Sequence, residues 1–205
     1  IFRDYNQELK AKYKVISGHG AFFFKAYLNN PFRVTVLREP ISLFLSQYEY
    51  LAKSPNSTFQ DQVSKLQNLD EYIDFAIEHG QDNLLVRYLS EEMNFLIDRN
   101  KAVPDMIQTG DILLEKAINN LKDYNLVFDF DHFDSGIYNL ARSLNWKTIP
   151  IYRPYNRTKY YENLIPNATL NRLESVLKWD MSLYNFYKSN YSNLVKASPV
   201  FLIRQ

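Results

Sequence analysis

Arg38 is the residue around which chemistry is most readily built in this chain. It lies within the stretch Arg33 to Leu51, RVTVLREPISLFLSQYEYL. Val34, Val36 and Leu37 give a short apolar, β-branched run with the composition of a buried strand, and the chain then turns at Arg38-Glu39-Pro40. Pro40 suits the first position of a helix. Beyond it Ile41, Phe44, Leu45, Tyr48 and Leu51 recur at three and four residues, which puts them on one buried helix face. Ser42 and Ser46 fall off that face. A guanidinium fork at a strand's carboxyl end, with hydroxyls on the helix that follows, is a phosphate-binding arrangement. The plainer alternative is that Arg38 pairs with a carboxylate at the strand end.

A second candidate precedes it. Tyr13 to Ser17 is a short strand candidate that ends at Gly18-His19-Gly20. Two glycines leave the imidazole in a close-approach loop at a strand end, where ligands sit in α/β sheets. The alternative is a histidine that satisfies backbone groups in a turn.

Leu37-Arg38-Glu39-Pro40 followed by Phe44-Leu45-Ser46-Gln47-Tyr48 resembles the 3′-phosphate-binding motif of sulfotransferases that use 3′-phosphoadenosine 5′-phosphosulfate (PAPS). The nearest branch is that of the carbohydrate O-sulfotransferases and their bacterial relatives. The resemblance implies that Arg38 and Ser46 hold the 3′-phosphate. It departs at Glu39, where aspartate is usual, and at Leu43, where the branch often has arginine. A Gly-His after a strand, shortly before this motif, is similar to the branch's catalytic-base position, which gives that role to His19. A histidine suits it, since its unperturbed pKa lies near neutrality and an alcohol needs a base to become a nucleophile. Neither Lys14 nor Lys25 meets that condition unless buried.

The same resemblance extends along the chain, less specifically. Asp82 to Ser90 is similar to a family segment in which an asparagine begins a short helix ending in Arg-Tyr-Leu. Arg87 there either faces the cleft or pairs with Glu91 or Glu92 at helix spacing. In the basic stretch Pro150 to Lys159, Arg157, Thr158 and Lys159 are implied, by position and charge, as contacts to the 3′-phosphate or the leaving group. Trp179 to Tyr184 resembles the family's terminal Asp-x-x-x-Tyr helix. The family commonly has arginine where His132 stands, so no site is claimed there. Its 5′-phosphosulfate loop follows a first strand, yet the glycines at 18, 20, 80, 110 and 136 build neither GxxxxGK[ST] nor the looser family loop. With Ile1 as the first residue, the expectation is that this loop precedes it.

The elements that must position these residues follow from periodicity. Helices are predicted with Leu69, Tyr72, Ile73, Phe75, Ala76 and Ile77 inward, ending near His79-Gly80, and over Asp111 to Leu121 with Ile112, Leu113, Ala117, Ile118 and Leu121 inward. A strand over Asn125 to Phe130 and a helix up to Asn145-Trp146 come next. Asn167 is expected to cap one long final helix through Phe186. The expected fold class is α/β, a mostly parallel sheet flanked by helices in a single domain over residues 1–205, and the resemblance implies that it is P-loop-NTPase-like, of sulfotransferase type.

Composition excludes several functions. With 46% hydrophobic and 16% aromatic residues the chain is not of the disordered class, and a net charge of +1 gives no general drive toward nucleic acid or anionic lipid. Cysteine is absent, and His19, His79 and His132 show no ligand spacing, so no metal cofactor is expected. Asp129 and Asp131 are read as strand-end solvation rather than a cation site. No run of 18 apolar residues spans a membrane. Localisation defaults to cytoplasm. Four N-glycosylation patterns, at Asn56, Asn156, Asn167 and Asn190, keep a secretory-pathway lumen as the alternative.

The predicted reaction is sulfuryl transfer from PAPS to a hydroxyl, on a carbohydrate or another small-molecule or carrier-bound alcohol, leaving 3′-phosphoadenosine 5′-phosphate (PAP). A nucleotide-dependent kinase and a degenerate sulfotransferase-like scaffold are the rival readings. The acceptor is not named by the sequence: Tyr48, Tyr50, Phe22 to Phe24 and the tyrosines from Tyr152 to Tyr161 either meet it or pack. Oligomeric state is equally unread.

Overall fold

In the computed structural model, residues 15–18, 21–54, 59–92, 102–148 and 165–191 are described. A 3-10 helix, Ala21–Tyr27, leads to strand β1, Val34–Leu37, and helix α1, Pro40–Lys53. Three helices follow: α2, Gln60–Val63; α3, Leu69–Glu78; and α4, Leu84–Leu89. The long α5, Met106–Lys122, then leads to β2, Leu126–Asp129. A 3-10 turn, Phe130–His132, joins β2 to α6, Phe133–Ser143, and α7, Asn167–Val176, and α8, Lys178–Asn190, complete the described chain.

The two strands pair in parallel, with Val34 opposite Leu126 and Leu37 opposite Asp129. Parallel pairing requires a crossover, and the helices from α1 to α5 supply it. The protein is therefore mostly helical around a small parallel sheet, an arrangement compatible with the α/β class. Leu37 and Val127 join one buried cluster with α4, α5 and α8, in which Leu113, Leu121, Leu183 and Tyr187 are almost fully enclosed. A second cluster unites α1, α2, α3 and α7 around Phe44, Tyr72, Ile73 and Leu173.

Local physics explains most boundaries. Pro40 opens α1 as its first residue, where its missing N–H costs nothing, and the Glu39 carboxylate accepts the amides of Ile41 and Ser42 at 3.1 and 2.7 Å. Asn68 caps α3 by accepting the amide of Glu71. Gly80, at φ +64°, follows the end of α3 in the left-handed region that glycine enters without a Cβ clash.

Several expectations are corrected. Val15 to Ser17, the described part of the predicted strand over Tyr13 to Ser17, have no strand geometry, and Val15 is 73% exposed. A strand exists only through its ladder, and these residues have no ladder partner among the described residues. Val36 is 41% exposed although Phe128, opposite it on the same face, is covered by α6, so β1 is buried only at Leu37. Ile77 and Ile112 face outward rather than inward. The predicted final helix is two, broken at Leu177 (φ −89°, ψ 14°), and Asn167 is the first helical residue while Pro166 holds the cap position. The break lets α7 pack on α3 while α8 packs against α1, α4 and α5.

Candidate functional site

Because β1 and β2 run parallel, their carboxyl ends share one edge, and the residues that follow them meet there. Arg38 is the first residue beyond β1, and Phe130 the first beyond β2. The Arg38 guanidinium carbon lies 5.1 Å from the centre of the Phe130 ring, in cation–π range. Arg38 is half-buried, and desolvation lowers its pKa from the ordinary value against the opposing pull of Asp131 and Glu39. No carboxylate among the described residues comes within ion-pair distance of it. Glu39, the nearest acid in sequence, is already engaged in capping α1.

Ser42 and Ser46 are half-buried and four residues apart, hence on adjoining turns of one side of α1. Ser46 lies roughly 9 Å along the helix axis from Pro40. The helix face predicted to be buried holds Ile41, Phe44, Leu45 and Leu51, while Tyr48 is only partly buried and stacks on Tyr72 with ring centres 4.5 Å apart. That stacking assigns Tyr48 to packing. Of the aromatics proposed for an acceptor surface, Phe22 packs with Leu43 and Val103 around Leu84, and Tyr50 is exposed.

His19, Arg157, Thr158 and Lys159 lie outside the described residues. Beside His19, Gly18 has φ +126° and its carbonyl accepts the amide of Ala21 at 3.0 Å. The loop thus needs a glycine at that position.

The sheet edge also carries a group for which the sequence made no claim. Asp129, fully buried at the end of β2, accepts the backbone amide of His132 at 2.9 Å and lies 2.6 Å from its Nδ1. The Tyr184 hydroxyl donates to the other carboxylate oxygen at 3.4 Å. Burial, then the charges of Asp129 and Asp131, push the Tyr184 phenol pKa up, so it stays a neutral donor. The signal in the sequence was an Asp-x-x-His at a strand end, read instead as two solvated aspartates. Among the described residues no group of three or more His, Asp or Glu side chains is arranged to hold a metal ion.

Arg87 faces neither of its expected partners. It is 2% exposed: Nη2 donates to Asp82 at 2.6 Å, Nε to the Asp82 carbonyl at 2.8 Å and Nη1 to the Pro104 carbonyl at 3.0 Å. Beside it, buried Asp180 accepts the amides of Leu85 and Val86 at 3.0 and 2.8 Å and so closes the N-terminus of α4 from another helix. Asn83, left-handed at φ +46°, bonds both Asp180 and the Val176 carbonyl. These residues lock α4 to the α7–α8 junction. A cleft of about 540 Å³ adjoins this lock, lined by Asp82, Arg87, Pro104, Ile107 and Trp179, and neither Arg38 nor Ser46 lines it.

A strand, a turn whose arginine has no carboxylate partner among the described residues and a hydroxyl-bearing helix define an α/β protein with a candidate anion site at a sheet edge. No family model matches the chain. It is similar to heparan-sulfate 6-O-sulfotransferase 1 of Gallus gallus, 25% identical over an alignment of 182 residues that covers 76% of this chain and 42% of that protein. It is also similar to heparan-sulfate 6-O-sulfotransferase 2 of the same species, 24% identical over 178 residues, covering 78% of this chain and 44% of that protein. The chain spans less than half the length of these curated relatives. No helix among the described residues is long and apolar enough to cross a membrane.

Proposed function

We propose that this chain carries the 3′-phosphate-binding part of a PAPS-dependent sulfotransferase that acts on a hydroxyl, with a carbohydrate as the favoured acceptor class. The observation that carries this reading is Arg38. It is partly desolvated, oriented over Phe130 and without a carboxylate partner among the described residues. A half-buried cation with no ion-pair partner is partly desolvated without full compensation, and an anion bound beside it supplies that compensation. The two named relatives are sulfotransferases acting on heparan sulfate, a carbohydrate, which favours this chemistry over the kinase and scaffold readings.

In this reading Arg38 and Ser46 hold the 3′-phosphate, and Arg157, Thr158 and Lys159 close over the nucleotide. PAPS supplies the activated sulfuryl group. The acceptor oxygen forms the new S–O bond as the bond from sulfur to the phosphate oxygen breaks, and the hydroxyl proton passes to the imidazole of His19. The protein's work is to align the two substrates, take that proton and bind the anionic leaving group.

The test is titration with PAP. Removing a charge-assisted hydrogen bond from a desolvated site costs about 2 to 4 kcal/mol, so Arg38→Ala weakens PAP binding roughly 30- to 1000-fold. Adenosine 5′-phosphosulfate, which lacks the 3′-phosphate, is affected far less. Equal losses for both nucleotides make Arg38 structural, and no PAP binding by a chain that retains its natural N-terminus removes the proposal.

A further inference from the structure

Resting on that reading, we infer that His132 is a second ligand of the 3′-phosphate, presented to it by Asp129. The register places Leu37 opposite Asp129, so Arg38 and the Phe130–His132 turn leave the sheet side by side, about 5 Å apart at the strands. The 3-10 turn is only three residues long and rises about 2 Å per residue, which keeps the backbone of His132 near this edge.

Asp129 fixes how the imidazole can act. Its carboxylate is completely buried, and within the described residues His132 is the one basic side chain whose nitrogen reaches it. A carboxylate taken out of water at a strand end needs such a partner. With Nδ1 committed to Asp129 at 2.6 Å, Nε2 is the nitrogen left for a ligand. The His132 side chain is 31% exposed, enough for that nitrogen to be reached. In the imidazolium form it donates there. The titratable groups around it are Asp129 and Asp131 on its own turn, Asp134 in the first turn of α6, Arg38 beyond β1, and the neutral phenols of Tyr184 and Tyr187 on α8. Asp131 is exposed, so Arg38 and His132 are the groups at this edge suited to a phosphate.

Two measurements decide this, both on the chain with its natural N-terminus. His132→Gln weakens PAP binding about 10- to 100-fold, the loss of one charge-assisted hydrogen bond, and leaves adenosine 5′-phosphosulfate binding within about twofold. In the unsubstituted protein, saturating PAP shifts the His132 Nε2 resonance in nitrogen-15 spectra while that of His79, whose Nδ1 lies 2.9 Å from the Phe75 carbonyl on α3, stays in place. The second measurement holds even if the variant fails to fold. Unchanged PAP affinity in His132→Gln, or a silent His132 resonance in protein that binds PAP, overturns the assignment alone. Failure of the unsubstituted protein to bind PAP overturns it together with the nucleotide reading.

Discussion

Arg87 and Asp82 face each other at 2.6 Å with both side chains almost wholly excluded from water, and the arginine also donates to two backbone carbonyls. Removing one member of a buried pair strands the other's charge in the interior. Arg87→Leu is therefore expected to cost about 3–5 kcal/mol in urea unfolding. Adding Asp82→Asn to it recovers part of the loss, because the orphaned carboxylate is gone. A double variant as unstable as the sum of the two single ones means that the pair is not coupled.

Asp180, behind that pair, gives stability a pH dependence of unusual sign. Desolvation, outweighing the two backbone amides that favour its charged form, pushes its pKa up to about 7 in the fold. In the unfolded chain it is about 3.9. Between those values the folded protein holds a proton that the unfolded chain has lost. This contribution is complete below about pH 4 and is lost as pH rises through 7, with a slope of at most about 1.4 kcal/mol per pH unit. Asp180→Asn removes the titration. Unfolding measured at several pH values for both proteins should give a difference that shrinks as pH rises, and a constant difference would refute the shifted pKa.

Gly110 lies within α5 because Trp179 lies against it. A Cβ built there would sit 2.1 Å from the indole, whose Nε1 is held by the Asp111 carboxylate at 2.9 Å. Gly110→Ala gains about 1 kcal/mol of helix propensity but must displace the ring. A net loss of roughly 1–2 kcal/mol is expected, seen as a melting temperature lower by a few degrees. A higher melting temperature would mean that the indole moves freely.

His19 carries the proton-transfer step of the proposed reaction. His19→Ala should lower kcat by about two to four orders of magnitude while PAP affinity stays within a few fold. Near-normal turnover, or loss of PAP binding along with activity, returns this histidine to a structural role and leaves the base unassigned.

What the sequence determined by itself is the part whose causes are local. Val34–Leu37 is a strand and Pro40–Lys53 a helix as read, since a proline at the first helical position and a three-four apolar rhythm act within a few residues, although the burial expected of β1 and Tyr48 is not met. The glycine that ends α3 belongs to the same class, whereas Asn83 makes no side-chain cap bond to α4 and is held by the α7–α8 junction. Tertiary structure decided the rest. Nothing in the run from Leu170 to Phe186 signals a break, yet Leu177 ends one helix because Asp180 must reach the N-terminus of α4 and Trp179 must reach Gly110. Arg87 could not be assigned from helix spacing, because its partners, Asp82 and the Pro104 carbonyl, are fixed by how α4 meets the segment entering α5. Asp129 and His132 are only three residues apart, but what makes them a pair is the complete burial of the carboxylate beneath Tyr184, and burial depends on the packing of α8. The pairing of β1 with β2 likewise brings Arg38 over Phe130 from ninety-two positions away, a proximity that parallel strands create and local pattern cannot register.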